Sequence, residues 1–198
     1  MKFKIINRQA DAARKQHSVE QFKKQGIEIE VFNNIDYRYL LQNSLTAHLF
    51  RKADYWDHDC NQEGVMSCNL GHMMLWLECF ATNEPYAIFE DDLWAFDPID
   101  FDWNELVKQD FDIHIISKAF RCDQYIIKPE AARRLFDWFL INGWERTLDF
   151  HLQDFKEDPS LGFKVTQGET LYFSQDILRI PSQLQNIGRE PLNKRPWE

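Results

Sequence analysis

Long apolar runs are missing from this chain: no stretch approaches the roughly 20 residues that a membrane-spanning helix needs. The opening, MKFKIINRQADAARK, holds no apolar core of the kind that drives secretion, because charge follows its first short apolar run at once. Cysteine is sparse as well. Four occur, at positions 60, 68, 79 and 122, with no Cys-x-x-Cys pair among them. Together these absences predict a reduced, cytoplasmic protein with no membrane span. Dense basic runs are also missing. Arg51-Lys52, Arg133-Arg134 and Lys194-Arg195 are isolated pairs in a chain of net charge −9. Phosphate contacts dominate nucleic-acid affinity, so this balance speaks against nucleic acid as the main partner. There is no internal repeat and no low-complexity segment.

What is present is a 198-residue chain of single-domain length with a heavy aromatic load of 16 Phe, 7 Trp and 6 Tyr. FKII at 3–6 reads as a buried strand, residues 9–25 as a helix stopped by Gly26, and GIEIEVFN as a second strand. Strand, helix, strand in that order is a βαβ unit, the building block of parallel sheets. Residues 34–62 carry no clean period and read as loop with one short helix near 38–51. Residues 65–81 are apolar nearly all round and predict a buried helix. Strands follow at 86–89, 112–117 and 124–127. A helix PEAARRLFDWFLING runs from Pro129 to its stop at Gly143. Another helix is expected near 147–155, a hairpin-like pair around 163–173, and a proline-containing tail.

The sharpest local feature is YAIFEDD. Glu90, Asp91 and Asp92 stand together at the carboxyl end of a buried strand, which is costly unless something positive neutralises them. In open α/β sheets, ligands bind in the crevice beyond the strand carboxyl ends. Side-chain alternation puts Glu90 and Asp92 on one side and Asp91 on the other. An acidic-x-acidic pair there suits Mn²⁺ or Mg²⁺ carrying a diphosphate. Trp94, just beyond, is a candidate platform for a sugar ring. Arg8, just past a strand end, is placed to reach a diphosphate, whereas Arg14 reads as capping or solvating the first helix. His58, Cys60, Cys68 and His72 do not match a structural zinc spacing, and no zinc is expected.

The stretch Gly64-Val-Met-Ser67-Cys68-Asn-Leu-Gly71-His72-Met-Met-Leu-Trp76, followed by Tyr86 to Asp92, resembles the signature of glycosyltransferase family 25. That pattern runs G-x-x-G-C-x-x-S-H-x-x-x-W, then an apolar strand ending in E-D-D. Ile6-Asn7-Arg8 with Asp11 and Arg14 resembles the family's opening. Tyr125-Ile-Ile with Ala131 or Ala132 and Leu135 resembles a downstream block, Asp149 falls where the family carries an Asp, and Pro181 with Gln185 resembles a late P-x-x-x-Q. The departures are Ser67 for a Gly, Gly71 for a Ser, and Cys122-Asp123-Gln124 for a small, Gly-rich approach to the Tyr.

The resemblance implies one α/β domain over 1–198, GT-A-like. A Rossmann-like, mostly parallel central sheet would be flanked by helices, with a nucleotide-sugar-binding half at 1–100 and an acceptor-side half at 101–198. It further implies inverting transfer of a hexose, commonly galactose, from a UDP-sugar to a hydroxyl acceptor such as a glycan, with modified DNA not excluded. In those terms Glu90 and Asp92 hold the metal, Asp149 and Glu90 are catalytic, and Asn7, Arg8, His72, Asp91 and Trp94 face the donor. The competing readings are a metal-dependent phosphotransferase or hydrolase using the same triplet, and a non-catalytic nucleotide-sugar-binding module.

Overall fold

The computed structural model describes residues 1–8, 12–34, 44–51, 62–95, 98–118 and 123–175. Asp11, Asp54, Asp57, His58, Asp59, Cys60, Cys122, Pro181 and Gln185 lie outside the described residues, as does the proline-containing tail.

The elements in chain order are β1 (Lys2–Arg8), α1 (Ala12–Lys24), β2 (Glu30–Asn34), α2 (Ser44–Leu49), α3 (Gln62–Thr82), β3 (Tyr86–Glu90) and β4 (Leu93–Ala95). They continue with α4 (Trp103–Lys108), β5 (Ile113–Ile115), β6 (Gln124–Ile127), α5 (Pro129–Asn142), α6 (Leu148–Glu157), β7 (Val165–Gln167) and β8 (Phe173–Gln175). Six strands form one sheet in the order β2-β1-β3-β6-β5-β7. β2, β1 and β3 run parallel, β6 lies antiparallel to both its neighbours, and β5 and β7 are parallel to each other. The sheet is thus mostly parallel between helices, the expected α/β architecture, with β6 the one reversed strand.

Alternation along the central strands builds two cores. Tyr86 and Ile88 face the cluster formed with α3, α5 and α6, which includes Trp76, Phe139, Trp144 and Phe155. Ala87 and Phe89 face the other cluster, with Phe22 of α1, Leu106 of α4 and Phe173 of β8. Both faces of β3 are therefore covered, which is why YAIF is apolar without a break. α5 starts at Pro129 and stops at Gly143, whose φ of 77° suits a residue without Cβ.

Two expectations are corrected. The second strand begins at Glu30, not at Ile27, because the Ile27 amide turns back to bond the Phe22 carbonyl at the end of α1. The segment around 163–173 is not a hairpin. β7 joins the main sheet beside β5, while β8 pairs with β4 in a separate two-stranded sheet. Gly168 directs the split. Its amide donates to the Ile115 carbonyl at 2.8 Å, and a Cβ there would lie 2.3 Å from the Ile116 carbonyl oxygen. The chain hugs β5 at that point and cannot fold back on β7.

Candidate active site

The site lies where β3 ends. Glu90 is the last strand residue, and Asp91 and Asp92 form the turn into β4. Both Asp91 and Asp92 are buried, at 7% and 3% exposure. Their side chains are anchored differently. Asp91 accepts from Asn7 Nδ2 at 2.6 Å and faces Arg14 Nη2 at 2.7 Å, while its carbonyl accepts from Ser18 Oγ at 2.7 Å. Asp91 thus pins the turn to β1 and α1. Arg14 Nη2 also lies 3.0 Å from Asp92 Oδ2. The Arg14 side chain is only 14% exposed, so it is not the solvated helix residue expected from sequence but the counter-charge of two buried carboxylates.

Glu90 meets α3; Asp91 and Asp92 share Arg14 instead of alternating as expected, because they lie in the turn beyond the end of β3. The Cys68 thiol donates to Glu90 Oε1 at 3.4 Å, and His72 Nε2 lies 3.5 Å from the same oxygen. The other ring nitrogen of His72 meets the Tyr125 hydroxyl at 2.9 Å, and that hydroxyl accepts from Trp76 Nε1 at 2.8 Å. His72 is fully buried, so this relay fixes its ring. Cys68 and His72 fall on one helix face because they are four residues apart. Gly71, between them, leaves room for the Asn34 side chain, which donates to the Ser67 carbonyl at 2.8 Å.

The electrostatics follow from this arrangement. Burial pushes Glu90 up, but His72, Cys68 and Arg14 together outweigh it and hold Glu90 below the ordinary range. Asp92 is pushed up to about 7 by burial and by the charges of Glu90 and Asp91, against the pull of Arg14. Burial also raises the Cys68 thiol well above its usual value, with Glu90 adding to the rise.

A fourth carboxylate, which the sequence reading passed over, joins the cluster. Asp123 sits just before β6, and its carbonyl accepts from the Glu90 amide at 2.8 Å. It reaches this edge because β6 runs antiparallel, so the beginning of β6 lies beside the end of β3. Burial raises Asp123 far above the usual carboxylate range, and the charges of Glu90, Asp92 and Asp149 raise it further. Asp149, in the first turn of α6, is thereby placed within electrostatic reach of the cluster. The N-cap of α6 is Thr147, so Asp149 does not cap that helix.

Of the other expected site residues, Asn7 is brought into the cluster through Asp91. Arg8 ends β1 opposite Asn34, and its side chain lies outside the description. Trp94 lies in β4 with its ring stacked on His17, centroids 5.2 Å apart, so one face of the proposed sugar platform is already covered. Phe150, next to Asp149, is 52% exposed, while Leu152 on the same helix is buried. Among the described residues no helix is long and apolar enough to cross a membrane.

The site is an acidic turn at the carboxyl end of a central strand, held by α1 through Arg14 and Ser18 and by α3 through Cys68 and His72. Residues 1–98 match the family described as glycosyltransferase family 25 (LPS biosynthesis protein). A Haemophilus influenzae protein described as lipooligosaccharide biosynthesis protein lic2B is 27% identical over 142 residues, covering 66% of this chain and 52% of that protein. The chain therefore spans about half the length of this curated relative. Among solved structures, a glycosyltransferase involved in the glycosylation of the major capsid of PBCV-1 aligns over 85% of this chain and 82% of its own. The TM-score is 0.47 and the identity 11%.

Proposed function

We propose that the chain transfers a hexose, galactose in the first instance, from a UDP-sugar to a hydroxyl of a glycan acceptor with inversion, assisted by Mn²⁺ or Mg²⁺. The observation that carries this reading is the buried Glu90-Asp91-Asp92 turn at the end of β3 in a chain whose residues 1–98 match family 25. The glycan acceptor is suggested by the lipooligosaccharide role in the name of the Haemophilus influenzae relative.

The residues fit a hard divalent cation. Asp92 Oδ1 is buried with no hydrogen-bond partner among the described residues, a state that favours a ligand outside the protein. Carboxylate oxygens are the donors that Mn²⁺ and Mg²⁺ prefer. Glu90 and Asp92 would hold the ion, which when bound offsets the charge of the departing diphosphate. Asp91 and Arg14 fix the turn that presents Asp92. His72 and Cys68 hold Glu90 ionised. Asp149, from the second half of the chain, takes the proton of the acceptor hydroxyl, as a single inverting displacement requires. Asn7, Arg8 and Trp94 flank the donor from β1 and β4.

The test is a thermal-shift panel of nucleotides and nucleotide sugars with and without Mn²⁺, followed by transfer from UDP-galactose to oligosaccharides and assignment of the product anomer. Stabilisation by uridine nucleotides only with the cation is the expected result. No nucleotide binding in either Mn²⁺ or Mg²⁺ would remove the donor assignment.

A further inference from the structure

Asp123 is 1% exposed, and neither of its carboxylate oxygens has a hydrogen-bond partner among the described residues beyond a weak approach of the Gln124 amide. A buried carboxyl left in this state is costly to the fold and calls for a ligand. Its surroundings make the case sharper. The neighbouring charged groups that act on it are Glu90, Asp92 and Asp149, all of its own sign. The one buried arginine of the cluster, Arg14, is already shared between Asp91 and Asp92. Among the described residues the Asp123 side chain makes no turn or capping bond. Asp123 lies ahead of a strand, and its main chain, not its side chain, makes the bond to Glu90. That bond roots the side chain beside the metal-bearing turn.

We propose that Asp123 is a ligand of the same divalent cation as Asp92, its unpartnered oxygens completing a hard, all-oxygen donor set drawn from the end of β3 and the beginning of β6. The inference rests on the metal-assisted reading above. It deepens that reading by adding a ligand from the second half of the chain.

The experiment titrates Mn²⁺ alone, followed by electron paramagnetic resonance, into wild type and Asp123→Asn, with the melting temperature of each metal-free protein taken alongside. The substitution keeps the shape and removes the charge. Loss of a metal-orienting contact typically weakens metal affinity by about 10–100-fold, and loss of a ligand should do at least as much. The expected result is a loss of that size with a metal-free melting temperature equal to or above that of wild type. Equal Mn²⁺ affinities in the two proteins would overturn the assignment. So would a metal-free variant that melts lower or fails to fold, because Asp123 would then be serving the fold. Equal affinities together with retained sugar transfer would leave the functional reading standing and remove Asp123 alone. A wild type that takes no Mn²⁺ would remove the metal-assisted reading and Asp123 with it.

Discussion

Asn7 Nδ2 donates to Asp91 Oδ2 across 2.6 Å, and this bond ties the end of β1 to the turn after β3. Asp91 is therefore the member of the acidic triplet that the fold depends on, while Asp92, beside it, keeps one oxygen unpartnered among the described residues. The two should respond to substitution in opposite ways. Asp91→Ala removes the partner of Asn7 and half the counter-charge of Arg14. Breaking a buried pair from one side costs about 3 kcal/mol, so a large fall in melting temperature is expected with or without metal. Thermal unfolding in chelator and in Mn²⁺ checks this.

Asp92→Asn should do the reverse. The folded-state value of about 7 lies above the ordinary 3.8. A carboxylate raised in this way favours the fold at low pH and penalises it as pH climbs from about 4 to about 7, the full penalty standing above that range. The uncharged amide that replaces it carries no such penalty. The metal-free variant is expected to be more stable than wild type at pH 8, on the order of 1–3 kcal/mol, with the gap closing towards pH 4. Mn²⁺ should stabilise wild type and leave the variant nearly unmoved. Denaturant melts at the two pH values, with and without metal, measure both effects.

The elements and residues differ in how much local sequence reveals of them. β6 and α5 were legible residue by residue, because QYII is bounded sharply and Pro129 and Gly143 mark a helix start and stop by their own chemistry. The acidic turn was legible for the same reason: a doubly buried strand must be apolar, so its end is conspicuous. The direction of β6 was not. Nothing in QYII says which way the strand runs, and that direction brings Asp123 to Glu90. Arg14 escapes a reading by sequence because α1 has only a sparse apolar face, which leaves the side facing the turn unmarked. The expected hairpin fails at Gly168, whose closeness to Ile116 is a tertiary fact.

His114 offers a test of pH dependence away from the site. Burial lowers it from 6.5 to about 4, and its Nδ1 lies 2.9 Å from the Thr166 hydroxyl. A histidine depressed in the fold contributes stability above its unfolded value, which is lost as pH falls from about 6.5 towards 4. His114→Gln removes that titration while keeping a polar partner for Thr166. The stability lost between pH 7 and pH 4.5 should shrink by on the order of 2 kcal/mol in the variant. An unchanged pH profile would show that His114 titrates alike in the folded and unfolded chain.

Zinc can be tested directly. The ligand atoms of Cys68, His72 and Glu90 lie within 4.8 Å of one another, close enough to hold a metal. Zinc, however, binds thiolate, and burial beside Glu90 keeps the Cys68 thiol protonated. Protein purified without added metal is expected to carry well under one zinc per chain by elemental analysis. A stoichiometric zinc that survives dialysis would make this trio a metal centre in its own right.

Asp149 acts on Asp123 from the first turn of α6, and its role separates cleanly by measurement. It lies in the first turn of α6, behind the N-cap Thr147, where a carboxylate gains from the helix dipole by about 0.3–1 kcal/mol. A structural Asp149 contributes at this level to the helix. A general base supplies about 10²–10⁴ in turnover and little to folding. Its charge also acts on Asp123, so removing it should ease the repulsion in the carboxylate cluster. Asp149→Asn is therefore expected to melt within a few degrees of wild type, to bind Mn²⁺ and nucleotide with near-parent affinity, and to transfer sugar at least about a hundredfold more slowly. The three measurements belong on one preparation. A variant that melts lower yet transfers at the parent rate would assign Asp149 to the helix and leave the acceptor proton to another carboxylate of the cluster, with Glu90, held ionised by His72 and Cys68, the next to substitute.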